Sequence, residues 1–89
     1  MEDATARLKR MKMRSWRRGT KEMDLVLGPW ADAHLDGLSA DDLALYDRLL
    51  EENDQDLMAC IFGTQVPPAP LAGLLARITD FARARLMQG

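Results

Sequence analysis

Apolar residues recur along this chain at intervals of three and four and almost never alternate, which is the spacing of helix faces and not of strands. The pattern predicts five helices, over residues roughly 4–16, 20–36, 40–52, 55–62 and 70–87. In the first, Leu8, Met11 and Trp16, with Met13 beside them, form a sparse stripe among bases, and Gly19 follows its end. In the second, Met23, Val26, Leu27, Trp30, His34 and Leu35 mark one face. Pro29 has no N–H for the carbonyl of Leu25, so a kink at Gly28-Pro29, or a division into two short helices, is expected. Gly19 or Thr20 starts this helix. With Gly19 as the cap, Glu22 stands at the third helical position, where a carboxylate reaches back to the cap N–H.

The third helix has the clearest start. Ser39 and Asp42 form a variant of the capping box, and Leu38 and Leu43 are spaced as a hydrophobic staple around it. Leu43, Tyr46, Leu49 and Leu50 then face a core. The fourth helix begins at Asn53 or Asp54, turns Leu57, Cys60 and Ile61 inward, and stops at Gly63. Residues 64–69 read as a stiff extended connection, and Pro70 suits the first position of the fifth helix. Its stripe is Leu71, Leu74, Leu75, Ile78, Ala82 and Arg85, widened by Phe81. The expected architecture is all-α, a small single-domain bundle of about five helices over residues 1–89.

Length narrows the function. At 89 residues the domain buries only about 60–65% of its unfolded surface, leaving little room for a deep catalytic cavity. The 47% hydrophobic and 29% charged residues make a globular balance, not a disordered one. No apolar run approaches the roughly 20 residues of a membrane span, and Met1-Glu2-Asp3 opens without the apolar segment of a secretory signal, so a cytoplasmic protein that does not insert in membranes is expected. One cysteine excludes an internal disulfide, and one histidine leaves no cluster for structural zinc.

The net charge of −2 hides a segregation. Residues 7–21 hold eight bases (Arg7, Lys9, Arg10, Lys12, Arg14, Arg17, Arg18 and Lys21) and no acid. Residues 23–89 hold four bases and eleven acids. A positive face on a negative body attracts something anionic: nucleic acid, a membrane surface, or an acidic region of another protein. DNA binding asks for a base-reading recognition helix, and the acidic remainder would repel a duplex. The apolar face of the first helix is thin for a membrane surface.

Catalytic chemistry has little footing. Cys60 lies on the apolar side of a short helix with no base at local spacing and reads as a structural thiol. His34 shares a face with Trp30 and reads as a packed or rim histidine. The acid pairs Asp41-Asp42 and Glu51-Glu52 stand at helix ends, where the dipole accounts for them. Neither a dinucleotide fingerprint nor a phosphate-binding loop is present. The chain reads as no enzyme, without catalytic residues, metal ligands or a stably bound cofactor. The segment from Arg17 to Asp24 is the unusual surface: two arginines, a bare glycine backbone that a partner can approach, and then carboxylates.

Within that segment Arg18-Gly19-Thr20-Lys21-Glu22 resembles the R-G-x-x-E signature of the SdhE family of succinate dehydrogenase assembly factors, or flavinators. The likeness continues through Arg17, Asp24, the run Leu25-Val26-Leu27-Gly28-Pro29-Trp30, the link His34-Leu35-Asp36-Gly37-Leu38-Ser39, the helix Tyr46-Asp47-Arg48-Leu49-Leu50-Glu51, and the turn Asp54-Gln55-Asp56-Leu57. It covers about residues 7–86. Cys60 departs from it, standing where the family usually has a tryptophan, which puts any role of that tryptophan in partner contact in doubt. The resemblance implies a monomeric five-helix protein that binds the flavoprotein subunit of succinate dehydrogenase, and often of fumarate reductase, and promotes covalent attachment of FAD to it. The FAD would belong to the client. Partner contact would fall to Arg17, Arg18, Gly19, Glu22 and Asp24, with Arg10 and Arg14 steering the approach to an acidic client surface. The alternative is a small basic-faced regulator that binds nucleic acid or another protein.

Overall fold

The computed structural model describes residues 2–88, with side chains to Arg85, so that residues 1 and 89 of the expected domain lie outside the described residues. Five helices follow one another: α1 (Ala4–Trp16), α2 (Lys21–His34), α3 (Ala40–Leu49), α4 (Asp54–Ile61) and α5 (Ala69–Gln88). A single 3-10 turn, Leu35–Gly37, joins α2 to α3. The described residues contain no strand. The fold is all-α.

Side chains written into the sequence start four of the helices. Asp3 accepts from the N–H of Ala6 at 2.7 Å, Thr20 from Met23 at 3.3 Å, Ser39 from Asp42 at 3.1 Å and Asn53 from Gln55 at 2.8 Å. Each satisfies a donor that a helix start leaves without a partner. The end of α4 is closed by Gly63, whose φ of +81° suits a residue without Cβ. There Gly63 N–H bonds the carbonyl of Cys60 and Thr64 N–H that of Ala59, a Schellman pair.

The helices enclose one core. α1 lies along α2, and α5 packs against α2, α3 and α4. Met23, Leu27, Trp30, Tyr46, Leu49, Leu50, Leu57, Leu71 and Ile78 are buried. Trp30 stacks on Tyr46 with ring centroids 5.2 Å apart and on His34 at 4.9 Å, and Phe81 meets His34 edge-on. His34 is thus a packed, half-buried ring, its Nδ1 at 3.2 Å from the carbonyl of Trp30.

Three expectations are corrected, and the open choice of the α2 cap is decided. α2 runs on as one helix through Pro29 and is not divided into two short ones, with Met23 and Leu27 buried before the proline and Trp30 and Ala31 after it. The helical run ends at His34 and the 3-10 turn follows, and α3 ends at Leu49, its last residues becoming turn. Thr20, and not Gly19, caps α2, so Glu22 makes no reach-back bond. In α1 the buried positions are Met11 and Ser15, while Trp16 and Met13 face outward. Ser15 Oγ donates to the Met11 carbonyl at 2.7 Å and lies 2.6 Å from the Tyr46 hydroxyl. A buried hydroxyl pair is thereby satisfied between α1 and α3.

Candidate functional site

The segment between α1 and α2 is built from the backbone outward. Gly19 has φ +100°, a conformation that L side chains rarely adopt. A Cβ built there would meet nothing within 4 Å, so the requirement for glycine is conformational and the space above it is open. The Arg18 N–H donates to Asp24 Oδ1 at 2.7 Å, which ties the turn to the first turn of α2. Asp24 is therefore engaged inside the molecule.

Arg18 points inward. Its side chain is 8% exposed, and Nε donates to Asp54 Oδ1 at 2.7 Å. One terminal nitrogen donates to the Leu50 carbonyl and the other to that of Glu52 at 2.6 Å. These carbonyls lie at the negative end of α3, and Asp54 opens α4, so one guanidinium fork fastens the corner between two helices. Arg14 supports the same corner, bonding the Leu50 carbonyl at 3.2 Å and Glu51 at 2.8 Å. Arg10 is shared between Glu2 at 2.8 Å and Asp47 at 3.1 Å, and Arg7 also reaches Asp47, at 3.4 Å. The hydrogen bond from Arg10 holds the Asp47 carboxyl below the usual carboxylate range, against some opposing burial. Lys12 pairs with Asp36 at 3.1 Å.

The basic stretch is thus divided. Arg7, Arg10, Lys12, Arg14 and Arg18 spend their charge on carboxylates of this same chain. Among the described residues, Lys9, Arg17 and Lys21 form no ion pair, and all three are exposed. Of the seven residues expected at a partner surface, Arg17, Gly19 and Glu22 face outward together. Arg10, Arg14, Arg18 and Asp24 are instead bonded into the fold, and Arg18 is turned inward furthest. No signal within the turn marks this, because the partners of Arg18 lie more than 30 residues along the chain.

Elsewhere the chemistry is sparse. Burial, with Asp56 and Glu52 nearby, pushes the Cys60 thiol up, away from the thiolate that nucleophilic attack needs. No group of three or more potential metal ligands occurs among the described residues. Among the described residues, no helix is long and apolar enough to cross a membrane.

The described residues form a small all-α body whose turn between α1 and α2 is tied down by Arg18 and exposes Arg17, Gly19 and Glu22. Residues 9–82 match the family described as flavinator of succinate dehydrogenase, and the chain belongs to that family. It is 31% identical over 85 residues to the FAD assembly factor SdhE of Acetobacter pasteurianus, covering 94% of this chain and 78% of that one. The FAD assembly factor SdhE of Shewanella oneidensis is 39% identical over 69 residues, covering 78% and 80%. A mitochondrial succinate dehydrogenase assembly factor 2 of Aspergillus flavus is 39% identical over 67 residues, 75% of this chain and 22% of that longer protein. No solved structure gave a significant match.

Proposed function

We propose that this chain is an assembly factor that binds the flavoprotein subunit of succinate dehydrogenase, and that of fumarate reductase where one is present, and promotes covalent attachment of FAD to it. The observation that carries the reading is the turn. Gly19 presents bare backbone under open space, and Glu22, exposed and without an internal hydrogen bond among the described residues, stands beside it. Only the weak dipole preference, roughly 0.3–1 kcal/mol, gives Glu22 a local reason.

The factor acts by positioning, and it is no enzyme itself. Bound in the client, the flavin would supply an electrophilic methyl position for a histidine of the client. This monomeric, cytoplasmic chain would hold the client in the conformation that brings those groups together. No cofactor is bound stably by the factor; FAD belongs to the client. Gly19 admits the client backbone, Glu22 pairs with a client group, and Arg17 lies at the rim. A nucleic-acid reading gains nothing from the basic helix, because most of its charge is neutralised at home.

The test replaces Glu22 by Ala and Gly19 by Arg, with circular dichroism to verify folding. Flavin fluorescence of the denatured client on a gel should fall sharply for both variants, and further for Gly19→Arg. Folded variants with a client band of wild-type intensity would remove the turn from the function.

A further inference from the structure

The outward ring of Trp16 belongs to a surface that reaches beyond the turn. Trp16 is 39% exposed, Met13 45% and Leu25 52%, three large apolar side chains on the outer side of the α1–α2 pair. The indole is not loose. Its back face lies on Gly28, where a Cβ would stand 2.3 Å from the ring, and Nε1 donates to Asp32 Oδ2 at 3.1 Å. One face is seated, one edge is bonded, and the opposite face is open. Ordering such a ring in a complex therefore costs little rotamer entropy, which is what makes a pre-positioned tryptophan an effective anchor.

The position relates this patch to the turn. Lys21, Leu25, Gly28 and Asp32 follow one another along α2 at spacings of four, three and four, so they share a face, and Trp16 lies across its middle. Glu22 precedes Leu25 by three residues, so the two are neighbours on α2 and the patch adjoins the turn. Along α1, Lys9 and Met13 continue the patch. Unpaired Lys9, Arg17 and Lys21 rim the apolar centre.

We infer that Trp16, flanked by Met13 and Leu25, is the anchor by which this chain grips its flavoprotein client, inserting into a shallow apolar depression rimmed by client carboxylates. The inference rests on the function proposed above and adds a second contact to the turn. The occupant is protein and not an anionic membrane, since the rim is of mixed sign: Lys9, Arg17 and Lys21 meet client carboxylates while Glu22 and Asp32 call for client cations, which a surface of lipid phosphates does not offer.

The test measures binding of purified, folded Trp16→Ala and Leu25→Glu to the succinate dehydrogenase flavoprotein subunit. Trp16→Ala should weaken binding roughly 30-fold or more, the loss that marks an interface anchor. Leu25→Glu, at a position too exposed to matter to folding, should weaken it roughly tenfold. If the wild type binds and both variants bind within about twofold of it, the anchor is refuted while the proposed function stands. If the wild type does not bind the subunit at all, the proposed function fails and this inference with it. Binding of the wild type to phosphatidylserine vesicles that Trp16→Ala abolishes, with flavoprotein binding unchanged, would overturn it in favour of a membrane contact.

Discussion

Arg18 Nε and Asp54 Oδ1 meet at 2.7 Å across 36 positions of chain, and their pair binds the turn after α1 to the start of α4. Within the R-G-x-x-E sequence, then, the first residue is bonded into the fold while Gly19 and Glu22 are exposed. Arg18→Ala should cost about 3 kcal/mol, the low end for removing one member of a buried ion pair. Arg18→Lys should recover little of it, since an ammonium cannot satisfy a carboxylate and two carbonyls in one plane. Arg17→Ala should change stability by less than about 0.5 kcal/mol. Denaturant unfolding checks all three, and a stability loss for Arg18→Ala equal to that for Arg17→Ala would contradict the buried clamp.

The division of the basic stretch separates two effects that sequence alone merges. Neutralising Lys9, Arg17 and Lys21 should lower the rate of association with the client and flatten its salt dependence. Arg10→Gln should act chiefly on stability, by up to about 1 kcal/mol for a pair this exposed. The sign with pH follows from Asp47, whose pKa is lowered in the fold. Its contribution is present above the unfolded carboxylate value and is lost as pH falls through the lowered one. Arg10→Gln should therefore flatten the acid limb of the stability profile. Stopped-flow association at two salt concentrations, together with acid unfolding, reads both.

Tyr46 is the chain's one tyrosine, so its titration has no background from another phenol. Burial pushes it up to about 12, with the hydrogen bond to Ser15 pulling the other way. Below the unfolded value of about 10, both states hold the proton and the group adds no pH dependence. Between about 10 and about 12 the unfolded chain releases it and the folded chain does not, so stability falls by at most about 1.4 kcal/mol per pH unit. Phenolate absorbance should appear together with loss of helicity. Ionisation near 10 with the helices intact would place the hydroxyl in water.

Ser39 offers a stability change free of any effect on function. Its hydroxyl caps α3 at 3.1 Å and lies outside the segment from Arg17 to Asp24, so Ser39→Ala should cost about 1 kcal/mol. Client flavinylation should stay at the wild-type level under conditions where the variant is folded. A drop in the client's flavin band without a drop in thermal midpoint would put Ser39 in the interface.

What was legible in the sequence was local. Ser39, Thr20 and Asn53 announce helix starts because capping acts over two or three residues. The stripes of α2, α3 and α5 announce their buried faces because their apolar residues are dense. The α1 stripe is thin, and there the pattern is off by part of a turn: it counts Trp16 with the core and passes over Ser15, which is buried. Ser15 can be buried only because Tyr46 brings a hydroxyl to it from another helix. Arg18 fails for the same reason, as its three acceptors are assembled by the tertiary fold. Pro29 does not divide α2, since residues buried on both sides of it continue the helix across a strong local breaker.

Gly19 makes a question of handedness answerable. Its φ of +100° disfavours an L residue, while the space around the missing Cβ is open. A D-alanine is the mirror case: it favours positive φ and would add a methyl group that the protein itself has room to accept. D-alanine at position 19 should keep the fold and gain stability by restricting the unfolded chain, by roughly 0.4–1 kcal/mol. A client that docks onto naked backbone would still reject it. Chirality thus divides the glycine into two demands, one made by the chain on its own torsion angles and one made by the partner on its bulk.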